Sequence, residues 1–180
     1  MASSVEWTSQ MEKMYESVIA VAFALDSANT SFQRTTGFAN DFKGTMTSVA
    51  QAGLLSGVSI DDAQKSMGAL VSNFSAFNPA AETTNAALGE TISLLSKTGV
   101  SADQSAKTID FFNKVLGESP KAAADLTREL AMAGTQIGIS TTKMLSDFEK
   151  LNGYLVGFGP RATSVFKELQ AQAKTTGIEI

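Results

Sequence analysis

The sequence predicts an all-α fold: short helices in helix-pair repeats of about forty residues, stacked as a compact helical array or α-solenoid with no β-sheet. Three observations predict it. Gly57-Val58-Ser59 returns as Gly99-Val100-Ser101, Gly138-Ile139-Ser140 and Gly177-Ile178-Glu179, with glycine spacings of 42, 39 and 39. Pro79, Pro120 and Pro160 are the chain's only prolines, and they are spaced 41 and 40. Between these marks apolar residues recur every three or four positions, the period of a buried helix face, and no stretch alternates with period two.

Residues 1–56 lack the marks. Met11, Tyr15, Val18, Ala22, Leu25 and Phe32 form a heptad-like seam interrupted by Asn29. The seam predicts either a coiled-coil, self-associating helix or a long first helix lying on the core. Thr35-Thr36-Gly37 breaks it. A second helix follows from about Asn40 to Leu55, with Phe42, Met46 and Val49 on one face.

Three helix pairs follow, over 57–98, 99–137 and 138–176. Gly57, Gly99, Gly138 and Gly177 suit the left-handed residue that ends a helix, and the Val or Ile beside each supplies the apolar contact of such a cap. Ser59, Ser101 and Ser140 offer a hydroxyl to the first turn of the next helix. Ser101 with Gln104 has the capping-box form, Ser59 with Asp62 is a shorter relative, and Ser140 with Lys143 lacks the reciprocal partner. Pro79, Pro120 and Pro160 are expected in the first turn of each second helix, where no N–H is needed. Their caps would be Asn78, Ser119 and, more weakly, Gly159. Ala63, Met67, Leu70, Phe74 and Phe77 form one apolar face; Ile109, Phe112 and Leu116 form another; Met144, Phe148, Leu151 and Leu155 form a third. Residues 177–180 open a further repeat, so the natural chain is expected to continue or to be longer than this sequence.

The 180 residues carry 14 Lys+Arg against 18 Asp+Glu, with no His and no Cys. There is thus no thiol nucleophile, disulfide, zinc finger or imidazole acid–base group. A net charge of −4 argues against a dedicated nucleic-acid binder. A compact fold of this mass exposes about 8,300 Å². The longest apolar run, Val18 to Leu25, is too short to cross a bilayer. Glu6, Glu12 and Glu16 beside Lys13 give the wrong sign for a signal segment. The lack of Cys fits assembly in a reducing cytoplasm.

Candidate chemistry is sparse. Ser140-Thr141-Thr142-Lys143 matches S-x-x-K and Lys97-Thr98-Gly99 matches K-T-G, both found in serine β-lactamases. Their order here is reversed, the second motif ends a helix rather than lying on a strand, and Ser140 is explained as a cap. Gly53/Gly57 and Gly153/Gly157 have G-x-x-x-G spacing, read as local packing or a turn. Asn29 and Asn73 head coincidental glycosylation triplets. Asp61 and Asp62 favour the dipole of a helix first turn. Asp103–Lys107 and Asp110–Lys114 have the spacing of helix-surface ion pairs. The sequence predicts no catalytic, cofactor or metal residues.

The Gly-(Val/Ile)-Ser starts, each preceded by an Ala/Lys-rich helix, resemble parts of phage tail tape measure proteins. Phe166 to Ile178 is the most typical segment, and Leu126-Thr-Arg-Glu-Leu130 with Ile137-Gly-Ile-Ser140 is similar. The resemblance spans about residues 48–180. It implies a virion protein of the phage tail, assembled in the host cytoplasm, that sets tail length and leaves during DNA ejection. It implies no enzyme activity, small-molecule substrate, cofactor or specific nucleic acid. The implied partners are the tail tube and tail-tip hub proteins and copies of itself, three or six. Helix breakers about every twenty residues depart from the family's long rods, so the chain would be a folded helical domain of such a protein. The alternative is a non-viral α-solenoid adaptor that binds other proteins.

Overall fold

The protein is all-α. Its structure, a computed structural model, describes residues 4–178, and no strand occurs among them. Helix α1 runs Ser4–Thr36, α2 Lys43–Ala52, α3 Ile60–Asn73, α4 Glu82–Lys97, α5 Ala102–Lys114, α6 Pro120–Gln136, α7 Thr141–Leu155 and α8 Ala162–Thr176. Short 3₁₀ segments, Leu54–Ser56 and Val156–Arg161, follow α2 and α7.

Local chemistry sets the starts of α3, α5 and α7. Gly57, Gly99 and Gly138 all have positive φ, as does Gly177. After each glycine the next N–H reaches back five residues: Val58 to Gly53 O, Val100 to Leu95 O, Ile139 to Gly134 O and Ile178 to Ala173 O. That bond satisfies a carbonyl at the helix end which would otherwise be left open. Val58, Val100 and Ile139 are buried beside it. Ser59, Ser101 and Ser140 then accept the backbone N–H of Asp62, Gln104 and Lys143. The reciprocal capping box forms at Ser59, where Asp62 accepts from the Ser59 N–H at 2.8 Å. At Ser101 the hydroxyl accepts from the Gln104 N–H at 3.1 Å, one half of the box. The shorter carboxylate is therefore the one that closes it.

The prolines divide. Pro120 opens α6 with Ser119 as its cap. Pro79 lies in a turn outside the helix; α4 starts at Glu82, with Ala81 at its cap position. Asn78 accepts there from the Ala80 N–H through its side chain and from the Ala81 N–H through its carbonyl, closing the turn three residues early. Pro160 sits in the 3₁₀ segment, after Gly159 at φ 53° and ψ −129°, and α8 begins two residues later.

The helices form two layers. In one, α1, α3, α5 and α7 lie side by side; in the other, α2, α4, α6 and α8 do. Each helix also packs on its neighbour in the chain, so α1 and α2 form the first pair of the same array. Equivalent positions fill the core: Met67, Ile109 and Phe148 each lie ten residues after their glycine and are fully buried. Phe32 and Phe42 meet edge to face at 4.7 Å, joining α1 to the start of α2. Phe148 meets Phe111 of α5 and Phe166 of α8 at 5.3 and 5.2 Å. Such pairs add directional attraction to the area they bury.

Polar side chains clip adjacent helices together. Asp103 accepts from Asn73, and Asp110 from the Ser75 N–H and hydroxyl. Lys107 pairs with Glu149 of α7. The expected Asp103–Lys107 and Asp110–Lys114 pairs give way to these contacts between helices. The accessible surface is 10042 Å², roughly a fifth above the compact expectation.

Candidate interaction surface

Helix α1 has 33 residues and so extends about 50 Å. Its C-terminal third is anchored. Ala28 and Phe32 are in the core, and Leu25 packs against it. Buried Asn29 accepts the Phe42 N–H at 2.9 Å, satisfying a donor at the start of α2. Gln33 donates to Asn40 O, and Lys43 pairs with Asp26 at 2.7 Å.

Every residue from Ser9 to Ala24 is exposed. Met14 is 62% exposed, Tyr15 68%, Val18 65% and Phe23 72%, with Met11, Ile19 and Val21 about half exposed. Met11, Met14, Val18, Val21, Leu25, Ala28 and Phe32 step 3-4-3-4-3-4 along one stripe. The body of the protein covers the last three of these, and the first four face outward. Met14, Val21, Ile19 and Phe23 belong to this surface but not to the seam expected from sequence. The 3-4 spacing was there to find Met14 and Val21, whereas Ile19 and Phe23 stand to the side of it and carry no periodic signal. Ile19 and Phe23 instead border a groove with Ala22, Leu25, Asp26 and Lys43.

The interior has its own polar pattern. Nine residues after each glycine stand Ser66, Thr108 and Asp147, all buried. The Ser66 and Ser93 hydroxyls lie 2.7 Å apart between α3 and α4. Thr108 donates to Gln104 O. Asp147, 1% exposed, accepts from Lys143 at 2.8 Å and Gln170 at 3.1 Å, with Lys150 at 3.5 Å. Burial pushes its carboxyl upward in pKa, but the bonds from Lys143 and Gln170 and the two lysine charges outweigh it and hold the group below its ordinary value. The Thr45 hydroxyl is buried with no partner, a group that costs about 1–3 kcal/mol when desolvated.

The two enzyme-like motifs do come together. Thr141 Oγ1 donates to Thr98 O at 3.1 Å and lies 3.0 Å from Thr98 Oγ1. Their contact joins the end of α4 to the start of α7. The Ser140 hydroxyl accepts the Lys143 N–H at 3.2 Å, while the Lys143 ammonium is on Asp147 and Lys97 is on Asp62 at 2.7 Å. The motif residues thus hold helices in place. Asp61 pairs with Lys65 at 2.6 Å on the surface. Asn29 is buried, and Asn73 binds Ala69 O and Asp103. Gly53 abuts Val58 in a local turn, whereas Gly153 and Gly157 face open space.

Gly57, Gly99, Gly138, Gly177, Ser59, Ser101, Ser140 and Pro120 sit at helix ends, and Pro79 and Pro160 in the connections; Gly138, Ser140 and Gly177 line one open cavity with Lys143, Gln170 and Lys174, and the others stay apart. Among the described residues no group of acids is placed to hold a metal ion, and no helix is long and apolar enough to cross a membrane. Comparison with known protein families, curated proteins and solved structures gives no match to the chain.

Proposed function

We propose that the chain is a structural virion protein, a helical domain of a phage tail tape measure-like protein that acts in tail assembly and length control and is released during DNA ejection. One observation carries this reading. Repeated helix pairs stack in two layers, many of their polar side chains are engaged in caps and helix-to-helix bonds, and the projecting half of α1 leaves a continuous apolar stripe open, with further exposed apolar side chains at Leu54, Leu55, Tyr154 and Phe158. That organisation suits contacts with other proteins. The partners in this reading are the tail tube and tail-tip hub proteins and copies of the chain itself.

The test is imaging of intact particles with and without the gene. The reading expects density for the two-layer array in the tail, and tails that are absent or of altered length when the gene is removed. Normal tails without the gene would overturn it. The stacked helix pairs also suit a non-viral α-solenoid adaptor. That reading expects one tight peptide ligand and no association with particles.

A further inference from the structure

We propose that the exposed half of α1 pairs with the same segment of a second copy of this chain, and that the two helices run antiparallel. The pairing rests on α1 alone and holds whether or not the chain is a tail protein.

The occupant follows from area and charge. Met11, Met14, Tyr15, Val18, Val21 and Ala22 share one side of the helix and expose about 600 Å² per chain, so two copies could bury at most about 1,200 Å² of it, the lower end of a stable interface. The charged residues of this stretch, Glu12, Lys13 and Glu16, lie about 120° or more around the helix from the stripe's centre. Gln10, Ser17 and Ala24 border the stripe without charge. Two identical helices therefore bring no charged side chain of residues 11–22 onto the apolar stripe. An acidic or basic partner would find nothing there to pair with.

The direction follows from where the body sits. Leu25, Ala28 and Phe32 continue the same stripe and are covered by the protein's own core. In a parallel pair both bodies would fall between the two helices and collide. In an antiparallel pair each partner lies only over the open half, and the two bodies stand at opposite ends. With Met14 near the two-fold axis, the segment from Ser4 to Ala24 overlaps itself throughout.

The test uses the full chain. Sedimentation should show a dimer, and Val18→Glu, at the centre of the stripe and already exposed, should give a monomer that keeps its helical content and whose melting no longer depends on concentration. Phe23→Glu, about 140° around the helix from Val18, should leave the dimer intact. The chain has no Cys, so spin labels can be placed singly at Q10C and A24C. About the Met14 axis the antiparallel pair separates the two Gln10 labels by about 12 Å and the two Ala24 labels by about 30 Å along the helix. A monomeric chain at high concentration, a dimer that survives Val18→Glu, or a short Ala24–Ala24 distance would each overturn the proposal.

Discussion

Lys97, the last residue of α4, places its ammonium 2.7 Å from the Asp62 carboxylate in the first turn of α3. The same carboxylate accepts the Ser59 N–H and hydroxyl. One side chain thereby caps a helix and closes the pair formed with the next helix.

Partial burial pushes the Asp62 pKa upward, but Lys97 and Ser59 more than reverse it, to about 2 from an ordinary 3.8. In the unfolded chain Asp62 takes up its proton near 3.8, well before the folded form does. Its contribution is therefore complete above that pH and is lost as pH falls from 3.8 toward 2. Asp147 shifts in the same direction. Melting temperature should drop through this window, and Asp62→Asn should flatten the drop. The Asp62 share is on the order of 1–2 kcal/mol, discounted for its residual exposure. A melting profile unchanged by the substitution would contradict the assignment.

Ser59→Ala removes both the hydroxyl that accepts the Asp62 N–H and its bond to the carboxylate. The expected loss is about 1–2 kcal/mol by chemical denaturation. Ser101→Ala removes one bond to the first turn of α5 and should lose less, about 0.5–1 kcal/mol. Equal losses would mean that the Ser59 hydroxyl's bond to the Asp62 carboxylate adds nothing.

Asp147→Ala leaves the Gln170 amide buried without its acceptor and takes one carboxylate contact from Lys143 and from Lys150. It should destabilise by about 1–3 kcal/mol. Asp147→Asn keeps an acceptor for Gln170 and should recover part of that loss. Thermal melting of the two variants separates the hydrogen bond from the charge.

Two glycines inside helices should respond oppositely to alanine. A Cβ on Gly68 meets nothing within 4 Å, so Gly68→Ala should stabilise by about 0.5–1 kcal/mol through helix propensity. A Cβ on Gly134 would lie 3.0 Å from both the Ile139 carbonyl and the Met144 Cβ. Crowding against these fixed atoms should outweigh propensity and destabilise by about 1–3 kcal/mol. Denaturation midpoints read both signs.

Helix starts were legible because caps are local. Ser59, Ser101, Ser140 and Ser119 each bond within three residues, so composition and spacing are enough to place them. The same reasoning failed at Pro79, where Asn78 makes its own turn before the helix begins. The surface on α1 was half legible: the seam showed in its spacing, but which half is covered did not.

By itself the sequence determined the all-α class, the left-handed glycines and the helices that follow them, since each depends on contacts a few residues apart. Only the tertiary structure decided which helices share a layer, that Asp103 and Asp110 reach across to Asn73 and Ser75, and that one continuous stripe on α1 is core at Phe32 and open surface at Val18. Such choices rest on partners 30 or more residues away along the chain, or on where the body of the protein comes to lie. Helical periodicity marks an apolar face as ready to be buried, and only packing supplies what covers it.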